Sequence, residues 1–209
     1  MKLPAFLVRS TSRKLLASLA LVGTAASVAG LGSFAAFTSS TSATQSVASG
    51  TVTAALGAAG GVDNRLTVNA TAVAAGDTMQ RAVKLSNTGT LNWASAGLTT
   101  TATATSLLDT DVTNGLQMVV DSCSVAWTEA GTSPAYTYTC SGVQSTQITS
   151  RAVIGSTMSL GSIGSLTAGG SDFLRVTLTL PSTADNTFQG LTSTIDFAFV
   201  GMQRTATNA

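Results

Sequence analysis

The chain has 209 residues, 44% of them apolar and only 9% charged, with two cysteines and no histidine. Charge this far below the roughly 25% of an ordinary soluble domain leaves no basic stripe to track phosphates, and the missing histidines exclude His-dependent nucleophile triads and His-ligated zinc. The formal charge of +1 hides an uneven distribution: Lys2, Arg9, Arg13 and Lys14 precede every acid, and beyond Ala35 six basic residues face nine acidic ones, a net charge of −3. Nucleic acid is therefore not an expected partner.

Residues 1–14 are basic and free of acids, and 15–31 is an apolar run diluted by Ser18, Thr24, Ser27 and several Gly and Ala. Ser33 and Ala35 then place small residues at −3 and −1 of a cut before Ala36. This pattern predicts a secretory signal peptide over 1–35, removed by a signal peptidase between Ala35 and Ala36, with no stable membrane insertion afterwards. The alternative, a retained single-span helix, calls for about 20 strongly apolar residues. No Cys lies near the cut, so an N-terminal lipid is not expected.

Residues 36–49 form a polar, low-complexity arm in which only Phe37 and Val47 are large and apolar. It contains no Gly or Pro, so it reads as a flexible segment able to act as a donor strand. From residue 50 onward strand signals recur at short intervals: 50–56, 65–73, 79–87, 97–105, 115–122, 135–140, 157–163, 171–181 and 193–202. Turn chemistry separates them, as in "NTGT" (87–90) and "TAGG" (167–170). "VTLTL" alternates Val176, Leu178 and Leu180 with Thr177 and Thr179, the pattern of a half-buried strand. Only "SLLDTDV" (106–112) suggests a helical turn. The expectation is an all-β chain: one jelly-roll-like β-sandwich over 50–209.

Export into an oxidising compartment with an even cysteine count favours a Cys123–Cys140 disulfide. The two residues lie in the β-like runs 118–127 and 135–140, and "TEAGTSP" between them supplies a turn. Two free thiols, one of them reactive, is the rival reading and needs a base or cation nearby.

Other candidates for chemistry are sparse. Asp109, Asp111 and Asn114 in "DTDVTNG" could converge on calcium, although the register misses the EF-hand pattern and no Glu closes the loop; Asx-turn capping is the competing use. Lys84, the sole lysine past the leader, shares a strand face with Ser86, as a Ser/Lys dyad would require; a strand lysine extending its ammonium to water is the simpler reading. Glu129 is the only glutamate and falls in the "TEAGTSP" turn. "LPSTA" (180–184) has the look of a wall-sorting signal but lacks the apolar tail and basic end that must follow one. No catalytic residue and no cofactor is expected.

The segments "GSFAAFTSS", "ASGTVTAAL", "LSNTGTLNWASAGL", "VTLTLPSTADNTFQG" and "IDFAFVGMQ", in that order, resemble the TasA/camelysin family of exported bacterial proteins. They are most similar to actinobacterial members carrying the alternate signal peptide read by a peptidase of the SipW kind. The resemblance implies a jelly-roll domain, an extracellular or cell-surface location, and self-association into biofilm-matrix fibres. In such fibres the N-terminal segment of one subunit passes into the sheet of the next. It also brings a metallopeptidase label from the camelysin-like members. The expected function is a secreted fibre subunit; the alternatives are a secreted metallopeptidase and a monomeric adhesion or ligand-binding module using loops such as "TEAGTSP".

Overall fold

The computed structural model describes residues 50–67 and 73–205. The signal peptide, the cut at Ala35 and Ala36, and Phe37 and Val47 of the arm lie outside the described residues, as does 68–72 within the strand expected at 65–73.

Alternation sets the strands. In Thr78–Asn87 (β2), Val83, Leu85 and Asn87 are buried while Lys84 and Ser86 between them are half-exposed. Such a strand must lay one face on a core. Among the described residues ten strands result: Ala54–Leu56 (β1), β2, Trp93–Ala104 (β3), Gln117–Cys123 (β4), Thr128–Thr132 (β5), Ala135–Thr139 (β6), Gln144–Ala152 (β7), Gly155–Ser159 (β8), Ser171–Thr179 (β9) and Thr194–Gln203 (β10). The helical turn expected at 106–112 is Leu107–Thr110 (α1), capped by Ser106. Among the described residues no helix is long and apolar enough to cross a membrane.

A five-stranded sheet, in the order β1-β2-β9-β4-β7, faces a three-stranded sheet, β10-β3-β8, and every pairing is antiparallel. Leu98 of β3, Met118 of β4 and Leu174 of β9 are fully buried between them, with Val83, Leu85, Val120, Val176 and Leu160. Each such side chain contributes roughly 1.5–3 kcal/mol of transfer free energy. The all-β sandwich expected from the sequence is the observed fold.

Individual elements differ from expectation. The strand at 50–56 shrinks to three residues because Thr51 and Thr53 bond the 88–91 loop instead of a strand. At 64–67 the chain makes one bridge, Asn64 to Val83, and then turns. The expected pairing of 118–127 with 135–140 does not form. Instead β4 pairs with β9 and β7, and β5–β6 is a separate hairpin inserted between β4 and β7. "TEAGT" is thus strand β5, with the turn at Ser133-Pro134, a cis peptide bond.

That hairpin forms a third layer on the outer face of the five-stranded sheet, where β6 lies against β2. The Cys123–Cys140 disulfide closes its neck, with Cα atoms 5.8 Å apart. Beyond the neck Ser124 N donates to Val143 O, carrying the ladder on towards β7.

Candidate functional site

The two sheets are joined tightly along one side, where β7 runs directly into β8. On the opposite side they part. β1 covers only Leu85–Asn87 of β2, and β10, ten residues long, pairs with β3 alone among the described residues. A cavity of about 550 Å³ opens between the two sheets, walled by Met79 of β2, Val176 and Leu178 of β9, Phe188, and Ile195 and Phe197 of β10.

Local chemistry fixes the two ends of β10. Gln203 of β10 pairs with Trp93, and the Trp93 ring occupies the space that a Cβ on Gly201 would take, so glycine lets the end of β10 close down on β3. At the other end Ser193, just before β10, donates to Asp109 Oδ1 (2.5 Å) and shares a 2.7 Å contact with Ser106 Oγ, which fixes the start of β10 on the α1 cap. Arg81 also lines the cavity; it is only 7% exposed, and burial pulls its guanidinium below the ordinary arginine range.

The calcium candidates are not drawn to one point. Asp109 completes a capping box, accepting from Ser106 N at 2.7 Å, whereas Asp111 Oδ1 accepts from Thr113 N and Asn114 N, both at 2.9 Å. The backbone N–H groups of Asn114 and Thr113 hold the Asp111 carboxyl below the usual carboxylate range. Asn114 touches Asp111 through its amide and accepts from Thr183. This is Asx-turn chemistry.

Sequence reasoning missed the cluster under the hairpin. Glu129 is no turn residue: it receives Arg65 Nε at 2.9 Å and Nη2 at 2.6 Å, and the Tyr138 hydroxyl at 2.9 Å. Beside it Arg175 pairs with Asp121 at 2.7 Å and lies 4.5 Å from the Trp127 ring centroid, while Trp127 donates to Phe173 O. Lys84 sits 5.5 Å from the Phe173 ring, a cation–π placement. The one available signal was composition: Trp127, Tyr136 and Tyr138 bring three of the chain's few aromatics to the two β-like runs that flank the expected turn.

These ion pairs fasten the hairpin and set its response to pH. The hydrogen bond from Arg65 holds the Glu129 carboxyl below the usual range, so its contribution is present above the ordinary carboxylate pKa and is lost as the medium becomes more acidic. Burial, then the hydrogen bond to Glu129, pushes the Tyr138 phenol up to about 12. Its contribution is present below the ordinary tyrosine pKa, near 10, and is lost as pH rises towards 12. A spectrophotometric titration should show one of the two tyrosines ionising near 12, and Glu129→Gln should lower that value. Phenolate formation complete by pH 11 in folded protein would contradict the arrangement.

The profile of the family described as camelysin metallo-endopeptidase matches residues 10–208. No curated protein matches the chain. The donor set does not fit the catalytic metal that description implies. A catalytic zinc takes three protein ligands, usually with histidine among them, and this chain has none. Its one glutamate is held by Arg65 and Tyr138, and among the described residues no group of three or more His, Cys, Asp or Glu could hold a metal ion.

Proposed function

The chain belongs to the camelysin metallo-endopeptidase family by a match over nearly its whole length, and we propose that it serves there as a secreted structural subunit, assembling into extracellular or cell-surface fibres through its N-terminal arm. The leader over 1–35 takes it out of the cell, and cleavage before Ala36 frees the arm. The observation that carries this reading is the unpaired edge of β10 among the described residues, lying beside an apolar cleft. A long edge strand with free N–H and C=O groups is a template for another strand, and folded proteins ordinarily shield it. Here an arm without Gly or Pro is at hand to add a strand there.

Electron microscopy of the purified mature chain, residues 36–209, tests the proposal; fibres are expected. The same preparation should leave casein intact and carry no stoichiometric zinc. Sedimentation as a monomer at every concentration and age would overturn the fibre reading, and zinc-dependent cleavage would replace it with the peptidase one.

A further inference from the structure

The chain leaves the five-stranded sheet at Cys123, the last residue of β4, and re-enters it at Gln144, the first of β7. The excursion between them is fastened in two different ways. At its neck the Cys123–Cys140 bond is covalent, and Ser124 N donates to Val143 O while Val143 N donates to Ser124 Oγ, each at 2.9 Å. Beyond the neck the fastenings are mostly polar. Tyr138 N donates to Gln80 Oε1 at 3.0 Å, Arg175 Nη1 to Tyr138 O at 3.2 Å, and Trp127 Nε1 to Phe173 O at 3.0 Å, while Arg65 grips Glu129 through two nitrogens. Within β5 and β6 only Tyr138 is buried, and the core cluster between the sheets takes no residue from 124–143. A two-stranded hairpin is marginal in water by itself, so its place on the sheet depends on these fastenings. A unit that buries so little apolar surface opens at a lower cost than the whole domain unfolds.

Charge makes one fastening decisive. Glu129 is the only charged residue between Cys123 and Cys140. Its carboxylate takes both Arg65 nitrogens and the Tyr138 hydroxyl. Arg65 lies 4.6 Å from the Tyr136 ring centroid, and Arg81 of β2 reaches the same ring at 5.9 Å. Nearer the neck Asp121 of β4 pairs with Arg175 of β9, and Lys84 and Asp63 line a small cavity with Ala82, Trp127 and Phe173. Several cations therefore meet the hairpin, and Glu129 is the hairpin's one opposing charge. Protonating it leaves the hairpin uncharged and the Arg65 and Arg81 guanidinium groups sharing the Tyr136 ring without it. The hydrogen bond from Arg65 holds the Glu129 carboxyl below the usual range, so this fastening is present above the ordinary carboxylate pKa and is lost in acid below it.

We propose that the β5–β6 hairpin is a flap released by acid, swinging off the outer face of the five-stranded sheet on the Cys123–Cys140 hinge while the sandwich beneath stays folded. The disulfide keeps the released hairpin tethered, so neutralisation lets it close again. Opening bares Ala82 and Phe173 together with Lys84 and Arg175, a mixed apolar and basic surface. The flap is independent of the fibre reading, because it uses neither β10 nor the arm.

Limited proteolysis of the mature chain tests it, because Trp127, Tyr136 and Tyr138 all lie between the two bonded cysteines. A cut after any of them adds the mass of one water and leaves two pieces that separate only on reduction. At neutral pH chymotrypsin should nick Glu129→Gln in this way at least about tenfold faster than wild type, with the far-ultraviolet circular dichroism of the two chains unchanged. Pepsin at about pH 3, below the ordinary range of a glutamate, should confine its cuts in wild type to the same stretch. Uncut protein returned from acid to neutral pH should regain its resistance to chymotrypsin. Equal nicking of Glu129→Gln and wild type at neutral pH would overturn the flap, as would pepsin that spares 124–140 or cuts throughout the sandwich. Should Glu129→Gln fail to fold, the acid digestion of wild type decides alone.

Discussion

Cys123→Ser is expected to lower the free energy of unfolding by about 3 kcal/mol in urea, equivalent to a loss of roughly 6–12 °C in Tm for a domain of this size. The bond joins residues 17 apart, and the chain-entropy model assigns about 3 kcal/mol to a loop of that length. The structure adds a reason for the loss to be felt beyond the loop. The disulfide closes the neck of the β5–β6 hairpin, and the hairpin covers Arg175 and Asp121, whose side chains are 14% and 6% exposed. Loosening the neck lets water reach that pair and weakens the Trp127 stack on Arg175 and the bond from Arg175 to Tyr138 O. The sandwich core between the sheets is built without the hairpin's apolar residues, so far-ultraviolet circular dichroism should keep its β character. A difference under about 0.5 kcal/mol between wild type and variant would mean that the hairpin is held by its ion pairs alone.

The hairpin also marks where sequence reading stops. Val176 and Leu180 are buried as their alternation required, but Thr177 on the supposedly wet face has a buried hydroxyl, because β9 lies under a layer contributed by residues 128–139. Periodicity reports how a strand divides its own two faces; it is silent about a distant segment returning to cover one. The same limit hid β7. "QSTQITSRA" buries only Ile148 and otherwise faces water, so no alternation distinguishes it from a loop, and its strand character comes from the ladder offered by β4. The cysteines were legible as a pair, since export and even count suffice for that. What they connect was not, because the nearest β-like runs on each side pair with other partners.

For the cleft, the apolar residues were legible as strand positions and their shared use was not. Ile195 and Phe197 alternate with Asp196 and Ala198 in the ordinary half-buried way. Nothing local says that β10 ends its sheet among the described residues or that β1 stops after three residues. Those facts come from topology: β3 lies between β8 and β10, and the 63–65 segment displaces β1 from the rest of β2 by bonding Ala82 and Lys84.

Deleting residues 36–46 from the mature chain is expected to abolish fibres while leaving a folded monomer. The described core draws its apolar residues from Val52 onward, so the domain should keep its unfolding midpoint within a few degrees. Assembly loses most of what the added strand supplies: a row of backbone hydrogen bonds along β10 and the burial of Phe37. Phe37→Asp isolates one part of that sum. Burying a phenylalanine contributes about 2–3 kcal/mol, and a carboxylate driven against apolar walls costs more, so the variant's critical concentration for fibres should rise about 100-fold or further, with monomer stability unchanged. Phe37→Leu, which keeps an apolar side chain at that position, should recover most of the loss. Static light scattering across a concentration series measures all three. Fibres from the deleted chain indistinguishable from those of the full mature chain would show that the arm is only a linker and that the β10 edge meets some other strand.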